Sequence, residues 1–149
     1  VLIGSGPLRE EMEARGNSGG LRERVHVFGT KAAAELAEYM NCCDALALPS
    51  LTTRQWKEQY GRVIGEAMAC GVPVVGSDSG AIPEVIGEAG LVVREGDAAA
   101  LARGLESAMF DEALRAQLIP AGKKRVEEEL SIQAMSGKLM EFYERLSNA

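Results

Sequence analysis

Glu58 and Glu66 stand eight residues apart, with Tyr60, Gly61 and the start of an apolar-periodic stretch between them. An ionised carboxylate only accepts hydrogen bonds, so two of them suit a ring of hydroxyl donors. Gly61 lets the backbone turn sharply. The first N–H groups of a helix starting there have no acceptor within it and can receive an anion. Hydroxyl acceptors beside anion receptors suit a sugar joined to phosphate. The plainer reading is an i,i+4 surface pair between Arg62 and Glu66. It runs cation before anion, the weaker polarity, and is worth only about 0.2–0.5 kcal/mol. Gly65 costs about 1 kcal/mol against alanine inside a helix, so either a ligand or a packed neighbour comes close there.

A second candidate is Gly4-Ser5-Gly6-Pro7, which follows an apolar run and opens a helical pattern. Arg9 replaces the third glycine of a dinucleotide fingerprint, and no acidic residue ending a following strand stands about 20 positions on to meet a ribose. A tight turn with Pro7 near the helix start is the better reading. Cys42, Cys43, Cys70 and the lone His26 lack metal-ligand spacing. The cysteines read as small buried hydrophobes and His26 as a strand residue.

These residues need elements to hold them. Strand-like runs at 1–3, 25–28, 44–49, 73–77 and 91–93 alternate with helical patterns at 8–15, 31–41, 62–70, 82–86, 98–110 and 111–119. Pro120 is expected to end the last of these. In the third run Ala45, Leu46, Ala47 and Leu48 read as buried on both faces. On helix 62–70, Val63, Ile64, Ala67, Met68 and the following Gly71 form the core face, with Glu66 off it. A closing helix spans about 131–146 with Ser131 as N-cap. Its stripe of Ile132, Met135, Leu139, Phe142 and Leu146 should dock on the rest of the domain, and Glu127–Glu129 reads as a solvated face. The alternation predicts an α/β fold, a Rossmann-like parallel sheet with helices on both faces. Ligands then bind beyond the strand ends, at loops 4–7, 29–31, 50–61 and 77–81.

The chain has 149 residues, 46% hydrophobic and 26% charged, with net charge −6. Those values exclude a disordered or fibrous chain, and the acidic balance argues against nucleic acid as partner. No apolar run reaches the roughly 20 residues of a transmembrane segment. Three cysteines without a disulfide framework suggest a reducing, cytoplasmic setting. The opening Val1-Leu2-Ile3-Gly4 reads as if cut within or just before a strand, the start of a piece of a longer protein.

The run Glu58-Gln-Tyr-Gly-Arg-Val-Ile-Gly-Glu66-Ala-Met-Ala-Cys-Gly-Val-Pro-Val-Val resembles the signature of retaining glycosyltransferase family 4, also called glycosyltransferases group 1. Gly4-Ser-Gly-Pro, Arg24-Val-His-Val-Phe-Gly29, the strand ending in Pro49-Ser50, Ser77-Asp-Ser-Gly-Ala-Ile-Pro-Glu84 and Gly90-Leu-Val-Val agree in order. The resemblance implies the carboxy-terminal, nucleotide-sugar-binding half of a GT-B enzyme across residues 1–149. The amino-terminal acceptor domain would be absent from this chain. By matching position, Glu58 would be the catalytic-site glutamate facing the donor sugar. Tyr60, Gly61 and Arg62 would offer backbone N–H groups near the sugar and phosphates, with Val63 beside them, and Glu66 would bind the ribose. Phe28, Gly29, Thr30 and Lys31 would line the base, beside the Gly4 and Gly6 turn. Three departures stand out. The family's Arg and Lys on the diphosphate would precede Val1; Tyr60 replaces a phenylalanine; Ala81 replaces a glycine. Trp56-Lys57 resembles one subgroup.

The resemblance further implies transfer from a UDP-, GDP- or ADP-linked sugar to a saccharide or lipid-linked acceptor held by the missing domain. It implies no metal and no cofactor. The fragment alone should be inactive, and the whole enzyme could associate peripherally with a membrane. Two rival readings are a non-catalytic nucleotide-binding module and another GT-B enzyme, such as a nucleotide-sugar epimerase.

Overall fold

The computed structural model describes residues 1–18, 20–21 and 23–147. The chain forms two compact units whose boundary falls between Glu38 and Tyr39.

In the first unit β1 (Leu2–Ile3) pairs in parallel with β2 (Val27–Phe28), Leu2 opposite Val27. The Leu2 N–H also donates to the His26 carbonyl at 2.8 Å, so His26 serves the strand while its side chain is exposed. Helix α1 (Arg9–Gly16) connects them and brings Gly16 against Val25, leaving no room there for a Cβ. Helix α2 (Ala33–Asn41) follows and crosses the boundary.

The second unit is a parallel sheet of order β3-β4-β5, from Leu46–Leu48, Val74–Ser77 and Leu91–Val93. The middle strand is buried throughout, as a continuous apolar run covered on both faces should be. Gly76 faces Ile82 and Ile86 of α4 (Ile82–Ile86), whereas its neighbour Val75 faces Gly104 of α5 (Ala98–Phe110). Successive side chains point to opposite faces, so α4 and α5 cover different sides. Helix α3 (Arg62–Ala69) lies on the α4 side and buries Ile64, Ala67 and Met68, while Val63 is half-buried. The α/β class is therefore as expected. Ala47 is not: it is exposed, on the strand that ends the second unit's sheet order, β3, whose ladder partner in that unit is β4.

Pro120 does not end its helix. Helix α6 runs from Glu112 to Arg125, with Pro120 exposed inside it, and continues into a π-helical turn, Val126–Leu130. Packing holds the helix through the missing hydrogen bond. Leu118 and Gly122 are buried, and Gly122 lies against Met68 of α3. The π-helical turn brings Leu130 to Gly65, where an added Cβ would lie 3.6 Å from Leu130 Cδ1. That is ordinary van der Waals distance, so the neighbour would tolerate an alanine and does not by itself require the glycine. Glu127–Glu129 are exposed as expected, and Glu129 pairs with Arg125 at 3.1 Å.

Ser131 caps α7 (Ile132–Ser147), its hydroxyl accepting from Ala134 N at 3.1 Å. The docking expected of α7 is absent. The helix buries no residue, and Ile132, Met135, Leu139, Phe142 and Leu146 are all exposed. Periodicity marks an apolar face without supplying the surface that covers it. Cys42 and Cys43 are also exposed rather than buried, because they lie just past the end of α2, their N–H groups donating back to Tyr39 and Met40; Cys70 is half-buried. Partial burial nevertheless pushes the Cys43 thiol above its ordinary value.

Candidate active site

The four loops singled out follow β1, β2, β3 and β4 at their carboxyl ends. In the first unit the Gly4 turn and the turn after β2 come together. Gly4 N donates to the Phe28 carbonyl at 3.1 Å, and the Ser5 and Thr30 hydroxyls are 3.3 Å apart. Gly6 closes the turn into α1 by accepting from Arg9 N at 3.2 Å. Gly29 and Thr30 are exposed. Lys31 Nζ reaches Glu35 at 3.2 Å, and Ala32 N donates to the same carboxylate at 3.3 Å. The Ala32 N–H first, then the Lys31 ammonium, hold the Glu35 carboxyl below its ordinary value.

In the second unit the loop between β3 and α3 carries Glu58, Tyr60 and Gly61. Glu58 Oε1 accepts from Gly61 N at 3.1 Å and, at a longer 3.5 Å, from Tyr60 N. Its other oxygen accepts from Ser50 Oγ at 3.4 Å. Glu58 therefore binds the loop just ahead of α3, and its carboxylate lies near the positive end of the helix. This changes which N–H groups face a ligand. Tyr60 and Gly61 spend theirs on Glu58, while Arg62 and Val63 begin the helix, where no intrahelical acceptor exists. Gly61 makes the entry at φ +71, a left-handed conformation that favours glycine.

Glu66 is exposed one turn along α3, clear of the face that buries Ile64, Ala67 and Met68. It forms no ion pair with Arg62, so the surface-pair reading fails. The Tyr60 hydroxyl points to Met135 Sδ at 3.9 Å, touching the first turn of α7.

The loop is fastened by residues to which the sequence reading gave no role. Ser77 Oγ donates to the Ser50 carbonyl at 2.6 Å, and the Thr52 and Ser79 hydroxyls are 3.0 Å apart. Thr52 N donates to Glu95 Oε2 at 2.9 Å, and Glu95 N to Asp78 Oδ1 at 2.7 Å. Ala81 N donates to the Glu58 carbonyl at 3.0 Å. Ser77 and Ser79 are buried, with every hydroxyl satisfied. The sequence signal was there in outline, since loops 50–61 and 77–81 were both marked, but it did not show that they bond to each other.

Among the described residues no group of three or more His, Cys, Asp and Glu side chains is placed to hold a metal ion. No helix there is long and apolar enough to cross a membrane.

Parallel strands with helices on both sides, and a glutamate-bearing loop feeding a helix N-terminus, define the α/β class found in GT-B glycosyltransferases. Solved structures agree. Sucrose-phosphate synthase from Thermosynechococcus elongatus superposes with a TM-score of 0.80 at 29% identity, over 99% of this chain and 38% of that one. HepE from Anabaena, solved with UDP, shares the fold with a TM-score of 0.82 at 24% identity, over 97% of this chain and 40% of that one. The chain belongs to the family described as glycosyl transferases group 1, which it matches over residues 1–125. Phosphatidyl-myo-inositol mannosyltransferase of Mycobacterium leprae is 32% identical over 151 residues, all of this chain and 38% of that protein. The amylovoran biosynthesis glycosyltransferase AmsK of Erwinia amylovora is 34% identical over 150 residues, 99% of this chain and 37% of that protein. The chain thus spans little more than a third of these relatives.

Proposed function

We propose that this chain is the donor-binding domain of a retaining, family 4 glycosyltransferase that moves a sugar from a nucleotide diphosphate to a saccharide or lipid-linked acceptor. The observation that carries the reading is the fixed Glu58 carboxylate, 3.1 Å from Gly61 N at the mouth of α3, with Glu66 exposed on the same helix. Glu58 meets the hydroxyls of the donor sugar. The N–H groups of Arg62 and Val63 face its phosphates, and Glu66 accepts from the ribose.

Transfer breaks the bond between the anomeric carbon and the diphosphate oxygen. Negative charge gathers on the leaving diphosphate while the sugar gains oxocarbenium character. Preformed N–H donors at a helix start stabilise the first, and a positioned carboxylate orients the second. Nothing in this arrangement asks Glu58 to be a nucleophile: its two oxygens are occupied by Gly61, Tyr60 and Ser50. The reading needs no metal ion or other cofactor. It sets the enzyme in the cytoplasm, which three free cysteines favour. The acceptor is held by a further domain, so the chain alone binds nucleotide without sustained turnover.

Titration calorimetry with UDP, GDP and ADP, and with their sugars, tests this. Binding of one nucleotide that weakens in Glu66→Ala is expected. No binding by any of them overturns the donor reading, and sustained product from the isolated chain overturns the need for a further domain.

A further inference from the structure

The Tyr60 hydroxyl donates to Met135 Sδ at 3.9 Å, joining residues 75 positions apart. Tyr60 is the last residue before Gly61 in the loop between β3 and α3, and Met135 lies in the first turn of α7. Two irregular steps bring α7 to that place. The π-helical turn Val126–Leu130 follows α6 and sets Leu130 beside Gly65 of α3. Ser131 then leaves helical geometry at ψ 154°. Its N–H donates to the Val126 carbonyl at 2.8 Å, and its carbonyl accepts from Met135 N at 3.0 Å. π-helical turns are rare and occur frequently at functional sites. Here the turn fixes the start of α7 beside the start of α3, although α7 itself buries no residue.

Tyr60 is where such a contact acts on the site. After it, Gly61 is buried against the side chains of Ile64 and Leu48. Before it, the Glu58 carboxylate accepts from Gly61 N at 3.1 Å but from Tyr60 N only at a long 3.5 Å. The Tyr60 peptide is thus the loosely tied link between the glutamate and the helix start. Its ring is 37% exposed, and α7 supplies the partner for its hydroxyl. A thioether is a weak acceptor, but it is polarizable and adapts to an aromatic neighbour. Fastened at its tip, the ring restrains the main chain at its other end.

We infer that Met135 is a positioning residue for this loop: it holds the Tyr60 ring, and through it the Glu58 carboxylate and the entry to α3. It acts through Tyr60 and not on the donor itself. The inference rests on the proposed donor reading for what the loop binds, though not for the restraint.

Amide hydrogen exchange, read by mass spectrometry on a peptide spanning residues 58–62, follows the loop without a ligand. Tyr60→Phe removes the donor of the contact and Met135→Leu its acceptor. Each should speed exchange there about threefold or more, the effect of losing one modest hydrogen bond from a local opening. The double variant should be no faster than either single one, because both remove the same contact. Met135→Gln returns an acceptor to the hydroxyl and should restore the slow rate, but not in combination with Tyr60→Phe. Leu139→Gln, one turn further along α7, should leave the rate unchanged. Calorimetry on the same samples uses UDP, UDP-glucose, GDP and GDP-mannose. Met135→Leu should weaken the bound nucleotide sugar about threefold and spare the nucleotide alone, whose ribose meets Glu66. Exchange unchanged in Tyr60→Phe and Met135→Leu overturns the inference, as does a Met135→Gln variant as fast as Met135→Leu. An equal gain in Leu139→Gln also overturns it, making the stability of α7 the cause. Faster exchange in both variants, with no nucleotide bound by the unsubstituted chain, defeats the donor reading and leaves the restraint. Nucleotide sugar bound equally well in every variant defeats the positioning role and leaves the donor reading.

Discussion

Gly80 lies directly against the main chain of Glu58: a Cβ added to Gly80 would overlap the Glu58 carbonyl oxygen. Its φ of +62 also disfavours any side chain. The loop that carries the candidate catalytic glutamate is therefore seated on a glycine in another loop. Gly80→Ala should destabilise the protein by about 2 kcal/mol or more, since it adds both overlap and backbone strain. Chemical denaturation measures it; a loss below about 0.5 kcal/mol would show that the two loops part easily.

Glu58→Ala removes the acceptor from Gly61 N, Tyr60 N and Ser50 Oγ at once. The isolated chain should lose about 1–2 kcal/mol, much like a lost helix cap. Glu58→Gln keeps an acceptor oxygen and should lose less. In a full-length enzyme the alanine variant should cut kcat severely while the protein stays folded; wild-type turnover would remove Glu58 from the site.

Glu66→Ala should leave stability within about 0.5 kcal/mol, because the side chain is exposed and unpaired with Arg62. Nucleotide affinity should fall about tenfold or more, the usual loss for a hydrogen bond to a charged group. Calorimetry reads the affinity and a thermal melt reads the stability.

Leu139→Gln on α7 should be nearly neutral for the isolated chain, within about 0.5 kcal/mol. Had the stripe been docked, removing a buried leucine would cost about 2 kcal/mol or more. The same melt distinguishes the two outcomes.

The Cys43 thiol is raised above its ordinary value by partial burial. In the unfolded chain it ionises at about 8.5. Its contribution to folding is therefore fully present below that pH and is lost as pH rises through the higher folded value. Alkylation at pH 8, mapped by mass spectrometry, should be slower at Cys43 in the folded chain than in urea. Equal rates would show that the folded thiol is as acidic as a free one.

Much of this was legible because local pattern and tertiary packing agree. Ile82–Ile86, Leu91–Val93 and Ala98–Phe110 occupy the spans that their periodicity marks. At Pro120 they disagree. Local chemistry says stop, but Leu118 and Gly122 pack well enough to carry the helix onward. Ala47 reads as buried in a run of apolar residues, and only the structure shows it exposed, on the strand that ends the second unit's sheet order. In the site, Glu58, Gly61 and Glu66 stand out by type and spacing. Thr52, Ser79 and Glu95 do not, since their partners lie 27 and 43 residues away and small polar residues occur in every loop.

Within the second unit β3 ends the sheet order, and half of its backbone hydrogen-bonding groups face away from β4. Natural edges are usually defended by a lysine, a bulge or a proline within the strand. Ala45-Leu46-Ala47-Leu48 has none of these, and Asp44 and Pro49 stand only at its ends. That side of the sheet is therefore where a further strand is added with least resistance, from backbone groups that need no change in β3 to receive it.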